Sequence, residues 1–368
     1  MRPTWCDIDL DAIRHNVGVL RGVAGEAAFC AVVKADAYRH GAVPVAMAAL
    51  EAGATWLAVA LVEEAAELRA AGIDAPILVL SELQPDEMAE VAALGGVRPT
   101  VYTGPGIDAF AAAAPGAPVH LKVDTGMHRV GATPAAATGL ARRVLDGGLV
   151  LEGVFTHFAV ADAPADPFTG DQVERFDAVL ADLADHGIEP EMVHLANTAG
   201  LITCPGARRS LVRAGIGIYG VAPSPELAAA CADLGLRPAA RLRSEVRHVH
   251  LVEAGEGVSY GRRWRAGGPT HLATVPIGYA DGVARAWWDG GSVLIGGRRR
   301  PIRGVVTMDQ LVVEVDGDVL VGDEVVLLGG QGDGFIGAEE VAAAVGTITP
   351  ETEDLLRANN EAPPVYLR

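Results

Sequence analysis

A lysine stands at the end of one of the most apolar stretches of the chain. Phe29-Cys-Ala-Val-Val33 runs into Lys34, and a polar loop, Ala35-Asp-Ala-Tyr-Arg-His40, closes on Gly41. The run reads as a buried parallel strand, and an ammonium at its end is costly to bury unless it is neutralised, paired or used covalently. Other apolar runs end in polar groups too. Lys122 leads into Asp124-Thr-Gly-Met-His-Arg129, and His157 follows Val154-Phe155-Thr156. His194-Leu-Ala-Asn197-Thr198 follows Met192-Val193, and Arg213 precedes Ala214-Gly-Ile-Gly-Ile-Tyr-Gly220. The backbone N–H groups of Gly215, Ile216 and Gly217, with donors from Asn197 and Thr198, suit a phosphate at a turn. A lone Gly-x-Gly serves a tight turn equally well. Joined to a lysine that can form a Schiff base, however, the group suggests pyridoxal phosphate (PLP).

Such groups meet only if the scaffold brings the strand ends to one rim. Apolar runs at 29–33, 56–60, 77–80, 99–102, 119–123, 149–155, 192–195 and 211–213 alternate with helical patterns such as 63–71, 85–93, 134–145 and 170–186. An open doubly wound sheet would read similarly. The count of eight favours a (β/α)8 TIM barrel, an α/β fold whose chemistry sits at the C-terminal strand ends. Before the first run, Ile8, Leu10, Ile13, Val17 and Leu20 set a helical period, with Asp11 as the expected N-cap. Beyond about residue 230 the apolar stretches (242–252, 271–276, 292–295, 302–306, 311–315 and 319–328) become short, alternating and β-branched, with Gly-Gly turns between several of them. They predict a C-terminal, mostly antiparallel β domain, followed by helical patterns at 337–345 and 350–357 and a tail at 365–368. The expected division is 1–230 for the barrel and 231–368 for the β domain.

The formal net charge of −18 argues against nucleic acid or an anionic membrane surface as partner. No apolar run reaches membrane-spanning length, and the opening Met-Arg-Pro-Thr-Trp-Cys-Asp-Ile-Asp has no signal-like region, which reads as cytoplasmic. Cys6, Cys30, Cys204 and Cys231 lie far apart without a C-x-x-C pair, so reduced thiols are expected rather than a zinc site or disulfides. No metal is expected.

Several motifs occur in a fixed order: Val33-Lys-Ala-Asp-Ala-Tyr38 with His40-Gly41, Asp124-Thr-Gly-Met127 with Arg129, and His194-x-x-Asn197. They continue with Arg213 and Gly215-Ile216, Val258-Ser-Tyr-Gly261, Pro276-Ile-Gly-Tyr-Ala-Asp-Gly282, Met308-Asp-Gln310 and Tyr366. This series resembles the alanine racemases, PLP enzymes of fold type III. The resemblance implies that Lys34 carries PLP and that Lys34 and Tyr260 are the two acid/base groups, Tyr260 coming from the partner of an obligate head-to-tail homodimer. It places Arg213 at the pyridine nitrogen and His157 beside the ring, with Tyr38, Asn197, Thr198, Gly215, Ile216 and Tyr366 at the phosphate. Arg129 and the backbone N–H of Met308 would meet the substrate carboxylate, with Lys122, a carbamate in many members, holding Arg129. Asp162, His194, Tyr279 and Arg285 would line the substrate's access corridor.

Three features depart from the family pattern. Arg39 replaces a glycine, Val305 replaces a corridor arginine, and the residues before Tyr366 lack the usual basic character. The implied activity is racemisation of alanine, supplying D-alanine for peptidoglycan. A serine-type or broad-specificity racemase fits the same residues. A fold-type III decarboxylase or a non-catalytic PLP binder fits less well, because Tyr260, Met308 and the β domain are all present.

Overall fold

Parallel barrel strands are covered on both faces, so they read as unbroken apolar runs, and the runs named above become strands. The computed structural model describes residues 3–347 and 365–367. After a first strand, β1 (Thr4–Asp9), come β2 (Ala28–Val32), β3 (Trp56–Val59), β4 (Ile77–Val79), β5 (Val97–Val101), β6 (Pro118–Lys122), β7 (Val150–Phe155), β8 (Met192–His194) and β9 (Leu211–Ala214). The last eight form one parallel sheet in the order β9-β2-β3-β4-β5-β6-β7-β8. Its ends meet where Ser210 N–H donates to the Val193 carbonyl (3.1 Å) and Arg213 N–H to that of Ala196 (3.0 Å). The sheet therefore closes as the expected TIM barrel. Helices such as Val62–Ala70, Pro134–Asp146 and Phe168–Asp185 lie between its strands. The last of these buries Gln172, Phe176, Val179 and Leu183, the stripe that a 3.6-residue period puts on one face.

The chain forms two compact units. One comprises Ile13–Ala37 and Gly41–Leu236; the other comprises Met1–Ala12, Tyr38–His40 and Arg237–Arg368. In the second lie β10 (Ala240–Glu245), β11 (His248–Val252), β12 (Gly257–Val258), β13 (Trp264–Arg265), β14 (Thr270–Val275), β15 (Ser292–Ile295), β16 (Arg298–Pro301), β17 (Leu311–Val315), β18 (Glu324–Gln331), β19 (Gly334–Ile336) and β20 (Val365–Leu367). A larger sheet runs β16-β15-β18-β10-β1-β20, with β19 on β18, and a smaller one runs β11-β14-β17. All these pairs are antiparallel except β1 with β20.

Some expectations are revised. Residues 4–9, read only as the approach to a helix of the N-terminal domain, form β1, which pairs with β10 within the unit built mostly from the C-terminal residues. Asp7, buried in it, accepts from Arg243 Nε at 2.6 Å, so the acidic residue that hid the strand is paired inside the sheet. The helix Leu10–Ala24 is capped by Asp9, whose Oδ1 accepts from Ala12 N–H at 2.9 Å; Asp11 lies in its first turn. Residues 302–306 form no strand, and only Ile302 bridges to Val313. The helix expected over 350–357 lies outside the described residues. Among the described residues, no helix is long and apolar enough to cross a membrane.

Candidate active site

The backbone after β2 takes an unusual course. Val33 N–H still bonds in strand fashion to the Ala58 carbonyl (2.9 Å), and from Lys34 the chain winds into a helical turn of the opposite hand. Ala35, Asp36, Ala37, Tyr38 and Arg39 all have positive φ, between 52° and 68°. For residues with a Cβ this costs roughly 1–2 kcal/mol each. Hydrogen bonds offset part of the strain, with Ala37 N–H on the Val33 carbonyl (2.9 Å) and the Asp36 carboxylate accepting from Ala42 N–H (2.7 Å). Strain kept at one place in a fold marks a site held for function rather than stability.

Four cations gather at the strand ends of the barrel. Burial lowers the Lys34 ammonium's pKa and Arg129 lowers it further, while Glu64 opposes them. Lys122, 5% exposed, lies under the same field. Burial first, then Arg213, Arg129 and Lys34, bring it down to about 8, and its Nζ donates to the Leu80 carbonyl at 3.3 Å. Arg213 is 3% exposed, and burial pulls its guanidinium down to about 10, still cationic near neutrality. Its Nη2 donates to the carbonyls of Thr156 (2.8 Å) and Leu195 (3.1 Å) and lies 3.4 Å from His157 Nδ1. Burial and the same four cations push His157 well below the usual histidine range, so it is neutral at pH 7. An excess of positive charge around a neutral imidazole suits an anionic ligand.

The loops after β8 and β9 complete this rim. Thr198 Oγ1 accepts from the backbone N–H groups of Gly215 (3.0 Å) and Gly217 (3.3 Å). At Gly217 a Cβ would stand 2.6 Å from the Thr198 methyl carbon, so only glycine allows this approach. Ile216 begins the short 3-10 turn Ile216–Tyr219, and Asn197 caps the helix Thr198–Thr203 by accepting from Gly200 N–H (2.9 Å). Asp162 is half-buried, and its carbonyl accepts from Ser224 Oγ at 2.6 Å.

His194 does not line an open path. It is fully buried, stacked on Phe155 at 4.6 Å, with Nδ1 2.7 Å from Arg213 Nη1 and Nε2 2.8 Å from His120 Nδ1. Its ring is packed inside the barrel between Arg213, Phe155 and His120. His120, in turn, lies 3.1 Å from Glu152, which takes a two-pronged pair of bonds from Arg98. Sequence reading passed over His120, Glu152 and Arg98. Their signal was a titratable residue within each of three mostly apolar barrel strands, which a buried strand keeps only with partners.

In the other unit, three motif loops are tied together. Ser259 Oγ donates to the Val305 carbonyl (2.6 Å); Tyr279 and Ala280 N–H donate to the carbonyls of Thr307 and Met308 (both 3.0 Å). At Gly278 a Cβ would meet the Met308 carbonyl oxygen at 2.4 Å. This arrangement leaves Tyr260 (72%), Met308 (53%) and Tyr279 (42%) exposed. The Tyr260 loop carries positive φ at Ser259, Gly261 and Arg262. Val305 is buried within its unit, so the residue replacing the corridor arginine shows no side chain to solvent. Arg285 is exposed on the turn Arg285–Trp288, where Trp287 is buried as packing. Tyr366, partly exposed on β20, pairs in register with Ile8, and Tyr38 falls within the opposite-handed turn.

A barrel with two lysines and two arginines at its mouth, carried in one chain with an antiparallel β module, belongs to a class of scaffolds with the charge to suit a small anion beside a lysine. Family models narrow that class: residues 8–223 match the alanine racemase N-terminal domain and residues 239–362 the alanine racemase C-terminal domain. An alanine racemase of Symbiobacterium thermophilum is 46% identical over 359 residues, covering 95% of this chain and 94% of its own length. The crystal structure of alanine racemase from D-cycloserine producing Streptomyces lavendulae superposes with a TM-score of 0.92 at 41% identity, covering 100% of this chain and 98% of that one. That of Bacillus anthracis alanine racemase with bound L-Ala-P gives 0.91 at 39%, covering 100% and 96%. The chain belongs to the alanine racemase family.

Proposed function

We propose that this protein racemises alanine with PLP in the cytoplasm, supplying D-alanine for peptidoglycan. The observation that carries this reading is the cluster of Lys34, Lys122, Arg129 and Arg213 around a neutral His157. The residues fit PLP. Lys34 would be the amine, the Thr198 hydroxyl and the turn at Gly215 and Ile216 would hold the phosphate together with Asn197, Tyr38 and Tyr366, and Arg213 would stand at the ring nitrogen. When bound, PLP supplies the electron sink that takes up the pair released as the Cα–H bond breaks.

Racemisation removes a proton from one face of Cα and delivers one to the other. Lys34 serves one face; burial, with Arg129 beside it, lowers its affinity for a proton, the direction a general base needs. Tyr260 of the partner subunit serves the other in a head-to-tail homodimer, and its exposure within one chain supports that assignment. Arg129 holds the substrate carboxylate, steadied by Lys122 as a carbamate, and Met308 of the partner subunit adds its N–H. Asp162, Tyr279 and Arg285 border the substrate's approach. Arg213, cationic at pH 7 and donating only, would give the ring nitrogen no ready proton, and so would temper the electron sink and limit side reactions. Alanine as the substrate is supported by the relatives, which are alanine racemases.

The test is deuterium wash-in at Cα in D2O for a panel of L-amino acids with added PLP. Exchange with loss of chirality is expected for alanine first. Faster exchange of serine or a larger side chain would move the substrate, and no exchange for any would end the racemase reading.

A further inference from the structure

Arg213 presents a problem of burial. Its hydrogen-bond partners are two carbonyls and the rings of His194 and His157, none of them a carboxylate. A guanidinium taken out of water without a counter-charge is expensive. Behind it, however, runs a continuous chain: Arg213 Nη1 to His194 Nδ1 (2.7 Å), His194 Nε2 to His120 Nδ1 (2.8 Å), and His120 Nε2 to Glu152 Oε2 (3.1 Å).

The polarity of this chain is determined. Arginine can only donate and a carboxylate can only accept. His194 Nδ1 must therefore be bare, which puts its proton on Nε2. That proton requires His120 Nδ1 to be bare, and the proton of His120 on Nε2 then points at Glu152. Both rings are neutral, and every donor points from Arg213 toward the carboxylate. Burial, the largest influence on each ring, favours the same neutral state.

The barrel is built to admit this chain. The pairing of β6 with β7 shifts register between Val119 and His120. Opposite, at Gly153, a Cβ would stand 2.5 Å from His120 Nδ1, so the ring occupies the space of an absent side chain. Glu152 is 15% exposed, and hydrogen bonds from His120 and Arg98 outweigh its burial and hold its carboxyl at about 2, ionised at every working pH. Arg98 shares that carboxylate from the wetter side, where water screens it more.

We propose that Glu152 is a positioning residue for Arg213: acting through His120 and His194, it sets a negative charge behind the guanidinium and fixes the direction in which that guanidinium donates. This rests on the reading above that Arg213 faces the cofactor's ring nitrogen.

Two measurements test it. In apo-protein labelled with 15N-histidine, His120 and His194 are expected as neutral Nε2–H tautomers at pH 7. Either ring found as an Nδ1–H tautomer or an imidazolium overturns the chain. In the holoenzyme, Glu152→Gln keeps an acceptor for His120 but removes the charge. It is expected to lower kcat about tenfold with KM nearly unchanged, and to shift the visible band of bound PLP. Wild-type kcat and an unshifted band in Glu152→Gln overturn the positioning role. If the wild-type protein binds no PLP, the cofactor reading fails on its own, and the tautomers still decide the chain.

Discussion

The barrel mouth and the loops of the β module carry site residues in opposite ways. At the mouth, Arg213 and Lys122 are nearly excluded from water, with donors directed to named carbonyls and rings. In the module, backbone bonds hold the loops while Tyr260, Met308 and Tyr279 stand out from them into solvent. One region pairs its polar groups within its own unit; the other leaves large side chains open to solvent. On the function proposed above, the barrel mouth would hold most of the cofactor's contacts, whereas turnover would need residues lent by a second copy.

Removing the barrel's amine breaks the comparison most severely. Lys34→Ala is expected to abolish both the absorbance of bound PLP and racemisation, by about 10⁴-fold or more. An absorbance that survives would show that the mouth is not organised around Lys34. Tyr260→Ala sharpens it: absorbance should persist while kcat falls about 10³-fold. Full racemisation in that variant refutes the two-base assignment.

A smaller effect concerns Lys122. With its ammonium held at about 8, the neutral amine fraction grows as pH rises from about 7 to 9. Only that form adds CO2, so a 13C-carbamate resonance should grow over this range in 13C-bicarbonate; a flat, empty spectrum removes the carbamate. Because the folded-state value lies below the unfolded 10.5, holding the proton opposes folding. That penalty is full below about pH 8 and is relieved between there and 10.5. The smallest change is expected from Arg39→Gly. At φ 68° glycine is unstrained, a gain of roughly 1–2 kcal/mol partly offset by about 0.4–1 kcal/mol of unfolded-chain entropy. The urea midpoint should rise slightly; a fall would mean that the arginine side chain contributes more than its backbone costs.

The barrel was legible because each of its strands is a short apolar run, and the motif residues were legible by type and order. What was hidden depends on pairing or orientation. β1 carries Asp7 and Asp9, which look unlike a buried strand until Arg243 arrives from more than two hundred positions away. His194 ends a strand, and sequence does not say whether the ring turns up to the rim or down into the barrel. The opposite-handed turn at 35–39 leaves no trace in Ala-Asp-Ala-Tyr-Arg, since of these only aspartate favours positive φ.

The His120 ring and the missing side chain of Gly153 have a consequence for how such a chain can drift. The two positions share one volume, so neither is free to vary alone: a side chain at 153 requires something smaller than imidazole at 120, and that loss severs Arg213 from Glu152. A library randomised at both sites and selected for folding should return compensating pairs in place of single replacements. Selected for turnover as well, it should return the parental pair.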